Sequence, residues 1–130
     1  MPETPTLTRT VFIADDEPLT LRAIQSLLTG YGFVVRPASD GSKGMALVDQ
    51  ITDDQPELLI TDMDMPGCGG EELAEYTRKR CRAIKVLFTS GQPQPHLVRS
   101  IAADPNTRFL EKPFMQADLL DVLRELGVAF

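Results

Sequence analysis

The sequence predicts an α/β fold, a doubly wound parallel sheet of five strands with helices on both faces. Short apolar runs of strand length alternate five times with longer segments in which apolar residues recur at helical spacing. The short runs are rich in β-branched and aromatic residues, which is typical of strands buried on both faces. Such alternation indicates right-handed βαβ units. Because 130 residues suit one domain, we expect a flexible leader over residues 1–9 and a single domain over residues 10–130.

The predicted strands and helices follow one another along the chain. The strand-length runs cover residues 11–14, 33–35, 58–60, 86–88 and 109–110. The apolar stripes with helical spacing cover residues 21–28, 47–51, 73–76, 97–101 and 119–126. The first stripe ends at Gly30 or Gly32 and the last just before Gly127, and glycine commonly ends a helix. The second run differs from the others because it continues into Arg36 and Pro37.

Composition excludes several classes of function. The chain has 13 basic and 19 acidic residues, for a net charge of −6, which disfavours direct binding to nucleic acid. No apolar stretch approaches the roughly 18 residues that a membrane span requires, so we expect no membrane partner. Two cysteines, Cys68 and Cys81, form neither a disulfide framework nor a metal cluster and favour a reducing, cytoplasmic location.

Polar residues follow four of the five predicted strands. They are Asp15-Asp16-Glu17 after the first, Asp62 after the third, Thr89-Ser90-Gly91 after the fourth and Glu111-Lys112-Pro113 after the fifth. A flavodoxin-like strand order of 2-1-3-4-5 makes strands one and three neighbours at the switch point where ligands bind. We therefore expect Asp15, Asp16 and Asp62 to converge, with Ser90 and Lys112 beyond Asp62.

Three converging carboxylates indicate a cation site. Two unit charges about 5 Å apart repel by on the order of 3 kcal/mol at an effective dielectric of 20, so a proton or a cation must offset them. An all-oxygen cluster suits Mg²⁺, which often shares its coordination with phosphoryl oxygens. The ammonium of Lys112 and the hydroxyl of Ser90 complete a pocket for a tetrahedral dianion. The pattern indicates phosphoryl chemistry with a carboxylate acceptor.

Taken together, these motifs resemble the receiver domain of two-component response regulators, the family that includes the bacterial chemotaxis regulator. The resemblance extends from about Thr10 to Leu126. It rests on Asp-Asp-Glu after the first strand, Asp-Met-Asp-Met-Pro-Gly at 62–67 with Gly70 after the third, a hydroxyl after the fourth and Lys-Pro-Phe at 112–114 after the fifth. It implies that residues 10–130 form a phosphoacceptor switch of a phosphorelay, phosphorylated by a histidine kinase or histidine phosphotransfer domain, with a changed output surface for an unknown downstream effector.

The resemblance also implies a role for each acidic residue of the site. Asp62 is the phosphoacceptor and a ligand of Mg²⁺. Asp16 binds the metal directly, and Asp15 acts through water. The backbone carbonyl of Asp64 is a further metal ligand.

The remaining site residues are implied to bind the phosphoryl group and report it. Lys112 pairs with a phosphoryl oxygen, and the Lys112–Pro113 peptide bond resembles one that is cis in the family. Ser90, rather than Thr89, is the hydroxyl that moves towards the phosphoryl group. Phe109 is the aromatic residue that turns inward on activation.

Several alternatives stay open on the sequence alone. The Asp-x-Asp spacing of Asp62 and Asp64 also occurs in haloacid dehalogenase-like phosphatases, in which the second aspartate is a general acid. A receiver-like interaction module that is never phosphorylated is a third possibility. We expect a switch with no separate turnover substrate, not an enzyme, and either a monomer or a phosphorylation-dependent dimer. The basic run at 78–82 is interpreted as a solvated helix end, with contact to an acidic partner as the alternative.

Overall fold

The computed structural model describes residues 9–92 and 95–130. Its strands are β1 (Thr10–Ala14), β2 (Val34–Ala38), β3 (Leu58–Asp62), β4 (Lys85–Ser90) and β5 (Thr107–Glu111). Its helices are α1 (Pro18–Gly30), α2 (Gly41–Asp49), α3 (Gly70–Arg80), α4 (Pro95–Ala102) and α5 (Gln116–Glu125). The strands form one parallel sheet in the order β2-β1-β3-β4-β5, which confirms the predicted topology.

Helices cover both faces of the sheet, as predicted. Ile24 and Leu28 of α1 pack with Leu119 and Leu123 of α5 against one face. Helices α2, α3 and α4 contribute to the core on the opposite face, through Val48, Leu73, Ala74 and the half-buried Ile101. Every residue of β1 and β3 is buried between these layers. Each fully buried Leu or Ile contributes about 1.5–3 kcal/mol, so the two central strands hold the site-bearing edge in place.

Strand β2 departs from the prediction of an apolar strand that ends before Arg36. It continues through Arg36 and Pro37 to Ala38, and its first residue, Val34, is 42% exposed. The strand lies at the edge of the sheet and pairs only with β1 among the described residues. An edge strand has one free side, so the missing N–H of proline and an exposed side chain are both tolerated there.

The structure describes one residue of the predicted leader, Arg9. Residues 1–8 lie outside the described residues. Arg9 pairs with Glu57 and lies over the ring of Phe33, 4.6 Å from its centroid, so it belongs to the packed domain although it was assigned to the leader.

In the basic run at 78–82, Arg78 donates to Thr107 Oγ1 at 2.7 Å and Arg80 donates to the Ile51 carbonyl at 2.8 Å. These two side chains therefore tie the end of α3 to neighbouring segments, whereas a solvated helix end was expected.

Hydrogen bonds beyond the strand ends hold the loops that carry the polar residues. The amide of Met63 donates to the Thr89 carbonyl at 2.9 Å, and the amide of Lys112 donates to the Ser90 carbonyl at 2.8 Å. The parallel ladder thus continues one residue past β3 and β5. As a result, Asp62 and Lys112 lie next to the end of β4. No helix among the described residues combines the length and apolarity needed to cross a bilayer.

Two glycines allow the loop after β3 to pack closely. A Cβ on Gly70 would lie 2.3 Å from the Asp62 carbonyl oxygen, and one on Gly41 would lie 2.0 Å from the Cys68 carbonyl oxygen. Both obstacles are backbone atoms, which cannot move aside as a flexible side chain can. The starts of α2 and α3 therefore fix the loop from Met63 to Gly69.

We predict that Gly70→Ala destabilises the fold and displaces Asp62. The added methyl group overlaps the backbone, and overpacking of this kind costs about 1–3 kcal/mol. Urea unfolding measures the loss. The control is Gly30→Ala, because a Cβ there meets nothing within 4 Å and alanine is favoured in helices. Equal stability of the two variants would show that the close packing at Gly70 does not constrain the loop.

Candidate functional site

Three carboxylates meet at the carboxyl edge of the sheet, as the strand order predicts. Asp15 follows β1 directly, and Asp62 is the last residue of β3. Asp15, Asp16 and Asp62 each place one oxygen within 4.8 Å of the others. Asp15 and Asp62 are buried, whereas Asp16 is exposed. The predicted convergence is confirmed, and two of the three charges lie in a largely dry environment.

Lys112 is the cation that balances this cluster. Its Nζ lies 2.9 Å from Asp15 Oδ2, 3.1 Å from Asp62 Oδ2 and 3.1 Å from Glu17 Oε1. Burial alone would lower the pKa of Lys112, but the carboxylates of Asp15, Asp62 and Glu17 more than reverse this and raise it. The side chain is therefore an ammonium ion over the whole physiological range. The prediction that Lys112 lies beyond Asp62 is corrected: its ammonium lies within the cluster and contacts Asp15 as well as Asp62, because both buried carboxylates need a counter-charge.

Asp15 is held as a charged group in an unfavourable environment. Burial raises its pKa, and the charge of Asp62 adds to that effect, although Lys112 and the backbone amide of Glu17 oppose it. Asp15 Oδ1 accepts from that amide at 2.9 Å. Asp15 Oδ2 lies close to Lys112 but receives no hydrogen bond of acceptable angle. A buried carboxylate oxygen is thus left with unused capacity to bind a cation.

The carboxylate of Asp62 is fixed at both oxygens. Oδ1 accepts from the backbone amide of Asp64 at 3.2 Å, and Oδ2 accepts from Lys112 at 3.1 Å. Its side chain is only 8% exposed. Asp62 is therefore oriented and partly desolvated, yet it borders a cavity of about 780 Å³ that is also lined by Asp16, Glu17 and Lys112.

Ser90, and not Thr89, contacts Asp64 in the loop that follows Asp62. The Ser90 hydroxyl donates to Asp64 Oδ2 at 3.4 Å and accepts from the amide of Gln92 at 3.1 Å. The hydroxyl of Thr89 is buried and has no hydrogen-bond partner in the part of the chain that the structure describes, and neighbouring residues of a strand point to opposite faces. Gly91, which follows Ser90, has open space where a Cβ would lie. The role of Ser90 as the hydroxyl that moves towards a phosphoryl group stays a prediction.

Two further predicted features lie beside the site. Phe109 is half-buried and packs against the core on the α4 side. The Lys112–Pro113 peptide bond is cis, as expected. The role of Phe109 as a switch residue and that of the Asp64 carbonyl as a metal ligand stay predictions.

The structure adds two residues to which the sequence had given no role. Glu17 contacts Lys112, and the only sequence signal for this was its position after the acidic pair. Leu19 is 81% exposed on the first turn of α1 and lines the same cavity as Asp62. It lies outside the apolar stripe that predicts α1, so periodicity alone gave no reason to select it.

In a comparison with protein families, the sequence model of the response regulator receiver domain matches residues 11–124 of this chain. The chain belongs to this family. Its sequence is 26% identical over 117 residues to the sensor kinase CckA of Brucella abortus, a match that covers 90% of this chain and 12% of the kinase. It is 28% identical over 116 residues to the transcriptional activator ExaE of Pseudomonas putida, covering 89% of this chain and 54% of the activator. The receiver domain thus spans about half or less of these relatives.

Solved structures support the same fold. A response regulator receiver protein from Sinorhizobium medicae superposes with a TM-score of 0.79 at 27% identity, covering 93% of this chain and 96% of that one. The chemotaxis response regulator CheY4 of Vibrio cholerae gives a TM-score of 0.78 at 23% identity, covering 92% and 98%. The doubly wound receiver fold is therefore shown by sequence and by structure.

Receiver domains bind Mg²⁺ at an acidic pocket, and the side chains of this chain suit such an ion. Carboxylate oxygens are the hard ligands that Mg²⁺ prefers, and three of them converge here. Among the described residues, Asp15 Oδ2 is buried and receives no hydrogen bond, although Lys112 Nζ lies 2.9 Å away, so the surroundings of this oxygen suit a cation. Because Asp16 is exposed, water could reach an ion bound beside its carboxylate.

We predict that Asp15→Asn stabilises the protein in the absence of divalent cations. The substitution replaces a buried charge whose pKa is raised by a neutral group of the same shape, and stabilising changes at such sites typically contribute about 0.5–2 kcal/mol. A raised pKa means that the wild type gains stability relative to the variant as the pH falls through it. The advantage of the variant should therefore shrink between neutral pH and about pH 4.

Urea unfolding at several pH values measures this effect. Asp16→Asn is the matched control, because Asp16 is exposed and its charge is solvated, so its stability should change by less than about 0.5 kcal/mol. An Asp15→Asn variant that is less stable than the wild type at neutral pH would contradict the prediction.

Proposed function

We propose that this receiver domain is the phosphoacceptor switch of a phosphorelay, in which Asp62 takes a phosphoryl group from a phosphohistidine. The donor is a histidine kinase or a histidine phosphotransfer domain. The observation that carries the proposal is the contact of Asp62 with Lys112, 3.1 Å long, beside two further carboxylates at one edge of the sheet. A nucleophilic carboxylate, a cation for the phosphoryl oxygens and a metal-binding set are thus combined in one cavity.

The transfer step follows from the orientation of Asp62. A carboxylate oxygen attacks phosphorus, the new oxygen–phosphorus bond forms, and the bond from phosphorus to the imidazole nitrogen breaks with its electron pair returning to the imidazole. Asp15, Asp16 and Asp62 are the side chains that would hold Mg²⁺, with the Asp64 carbonyl as a further ligand. When bound, the ion supplies charge stabilisation for the phosphoryl oxygens. Lys112, whose Nζ lies 3.1 Å from Asp62 Oδ2, would neutralise one of those oxygens.

The switch follows from competition for hydrogen bonds. The Ser90 hydroxyl contacts Asp64 Oδ2 at 3.4 Å, a long and therefore weak bond. A phosphoryl group on Asp62 offers stronger acceptors to Ser90 and Lys112, and charge-assisted hydrogen bonds contribute about 1.5–3 kcal/mol each. Reversing a two-state equilibrium from 1:99 to 99:1 takes about 5.5 kcal/mol, which a few such bonds supply. Movement of Ser90 then makes room for Phe109 to turn inward.

The surface beside the site suits docking of the phosphodonor. Leu19 and Met115 are 81% and 73% exposed, and Ala23 and Phe114 line the cavity that Asp62 borders. An apolar rim around a charged centre is a common feature of recognition sites. We place the partner's phosphohistidine above Asp62, with its apolar side chains against Leu19 and Phe114. A cytoplasmic location and the absence of a turnover substrate belong to this proposal.

The central test uses beryllofluoride, a phosphoryl mimic, with Mg²⁺. We expect binding to the wild type and a loss of at least about 100-fold in Asp62→Asn, because the acceptor oxygen is replaced by an amide. Isothermal titration calorimetry measures both. The matched control is Asp64→Asn, which keeps the backbone carbonyl and should bind within a few-fold of the wild type.

Three results would contradict the proposal. Binding retained in Asp62→Asn would place the acceptor elsewhere. Sustained hydrolysis of a phosphomonoester that is lost in Asp64→Asn would favour the phosphatase alternative. A wild type that binds no beryllofluoride at saturating Mg²⁺ would favour an interaction module that is never phosphorylated.

A second test concerns the docking surface. We predict that Leu19→Ser slows phosphotransfer from a phosphorylated histidine phosphotransfer domain by about tenfold, since truncating one of the few apolar anchors at the centre of an interface costs more than about 1 kcal/mol. Phosphorylation by phosphoramidate, a small donor that needs no docking surface, should stay unchanged. The control is Tyr31→Ser. Tyr31 directly follows the last residue of α1, at the end of the helix opposite to Leu19, and is 46% exposed. Equal slowing with both donors would show that Leu19 affects the site itself.

A further inference from the structure

We propose that Glu17 is a positioning residue that holds Lys112 before phosphorylation and competes with the incoming phosphoryl group for it. This inference rests on the function proposed above and concerns a residue to which that function assigns no role. It follows from the way in which Lys112 is shared among three carboxylates.

The three carboxylates around Lys112 differ in how easily each can leave. An ammonium group has three donors, and Asp15, Glu17 and Asp62 lie 2.9, 3.1 and 3.1 Å from Nζ. The side chains of Asp15 and Asp62 are 2% and 8% exposed, whereas that of Glu17 is 60% exposed. Withdrawal of either aspartate would leave a buried charge unpaired. Of the three carboxylates, only that of Glu17 can leave Lys112 and be solvated by water at little cost.

The side chain of Glu17 is directed to Lys112 although its backbone position offers another role. Glu17 is the N-cap of α1, a position at which a side-chain oxygen can accept from the free amides of the helix. No such capping bond forms. Oε1 accepts from Lys112, and Oε2 lies 3.5 Å from the Thr20 hydroxyl. The contact with Lys112 is thus used in place of the local one.

Phosphorylation of Asp62 would change the balance at Lys112. The new group brings about two negative charges to a carboxylate that lies 3.1 Å from Nζ. Glu17 Oε1 contacts the same nitrogen, so two anionic groups would share one cation at close range. The exposed glutamate is the one displaced. Glu17 therefore shields Lys112 in the resting protein and opposes the arrival of the phosphoryl group.

The test compares beryllofluoride affinity of the full chain and its Glu17→Gln variant at a Mg²⁺ concentration that saturates each of them. We expect Glu17→Gln to bind about three- to fivefold more tightly, the upper range for a partly exposed ion pair. Because this effect is electrostatic and near the surface, the gain should fall towards onefold as salt is raised from about 0.05 to 0.5 M. A purely structural role would not produce that dependence on salt.

The matched control is Glu125→Gln. Glu125 is 62% exposed and faces a cation, Arg108, at 3.9 Å, but it lies on α5 away from the site. The beryllofluoride affinity of Glu125→Gln should therefore equal that of the wild type. Thermal unfolding verifies that both variants fold. Equal or weaker binding in Glu17→Gln, with a wild type that binds, would overturn the role of Glu17 and leave the proposed function intact. A wild type without binding would overturn both.

Discussion

Two buried carboxylates, Asp15 and Asp62, depend on the single ammonium of Lys112, and this balance of charge governs the site. Their side chains are nearly excluded from water, so each needs a partner if it is to stay ionised. Lys112 meets that need at 2.9 and 3.1 Å but leaves Asp15 Oδ2 without an aligned hydrogen bond. Two buried carboxylates thus share one counter-charge, which makes the site suitable for a further cation.

The fold supplies this arrangement through residues far apart in the sequence. Strands β1, β3 and β5 end at one edge, and the ladder bonds that continue past β3 and β5 fix the backbone of Met63 and Lys112. Asp15 and Asp62 thus lie at the ends of buried strands that pair on both sides, and Lys112 follows β5, which pairs with β4. Such support keeps the donor and acceptor atoms in place before a ligand arrives, which is what electrostatic stabilisation requires.

Sequence reasoning identified the strand order and the converging side chains because both follow from periodicity and from the polar residues at strand ends. It was less successful for β2, since an edge strand obeys looser rules than a central one, and for Arg78 and Arg80, whose partners Thr107 and Ile51 are distant in the sequence. The contact of Glu17 with Lys112 was not foreseen either. Whether an exposed side chain turns towards solvent or towards a cation 95 positions away depends on a geometry that local patterns do not contain.

The two sides of the acceptor loop differ in their freedom to move. On the side of α2, Gly41 meets the Cys68 carbonyl so closely that not even a methyl group would fit, and Gly70 meets Asp62 in the same way. On the side of β4, no atom of the described residues lies within 4 Å of where a Cβ on Gly91 would be. The Ser90 hydroxyl is held there by a long bond to Asp64 Oδ2 at 3.4 Å and by the amide of Gln92 at 3.1 Å. Displacement of Asp62 is thus opposed by close backbone contacts on the side of Gly70 and by looser contacts on the side of β4. The packing around Asp62 is therefore closer towards Gly70 than towards the end of β4.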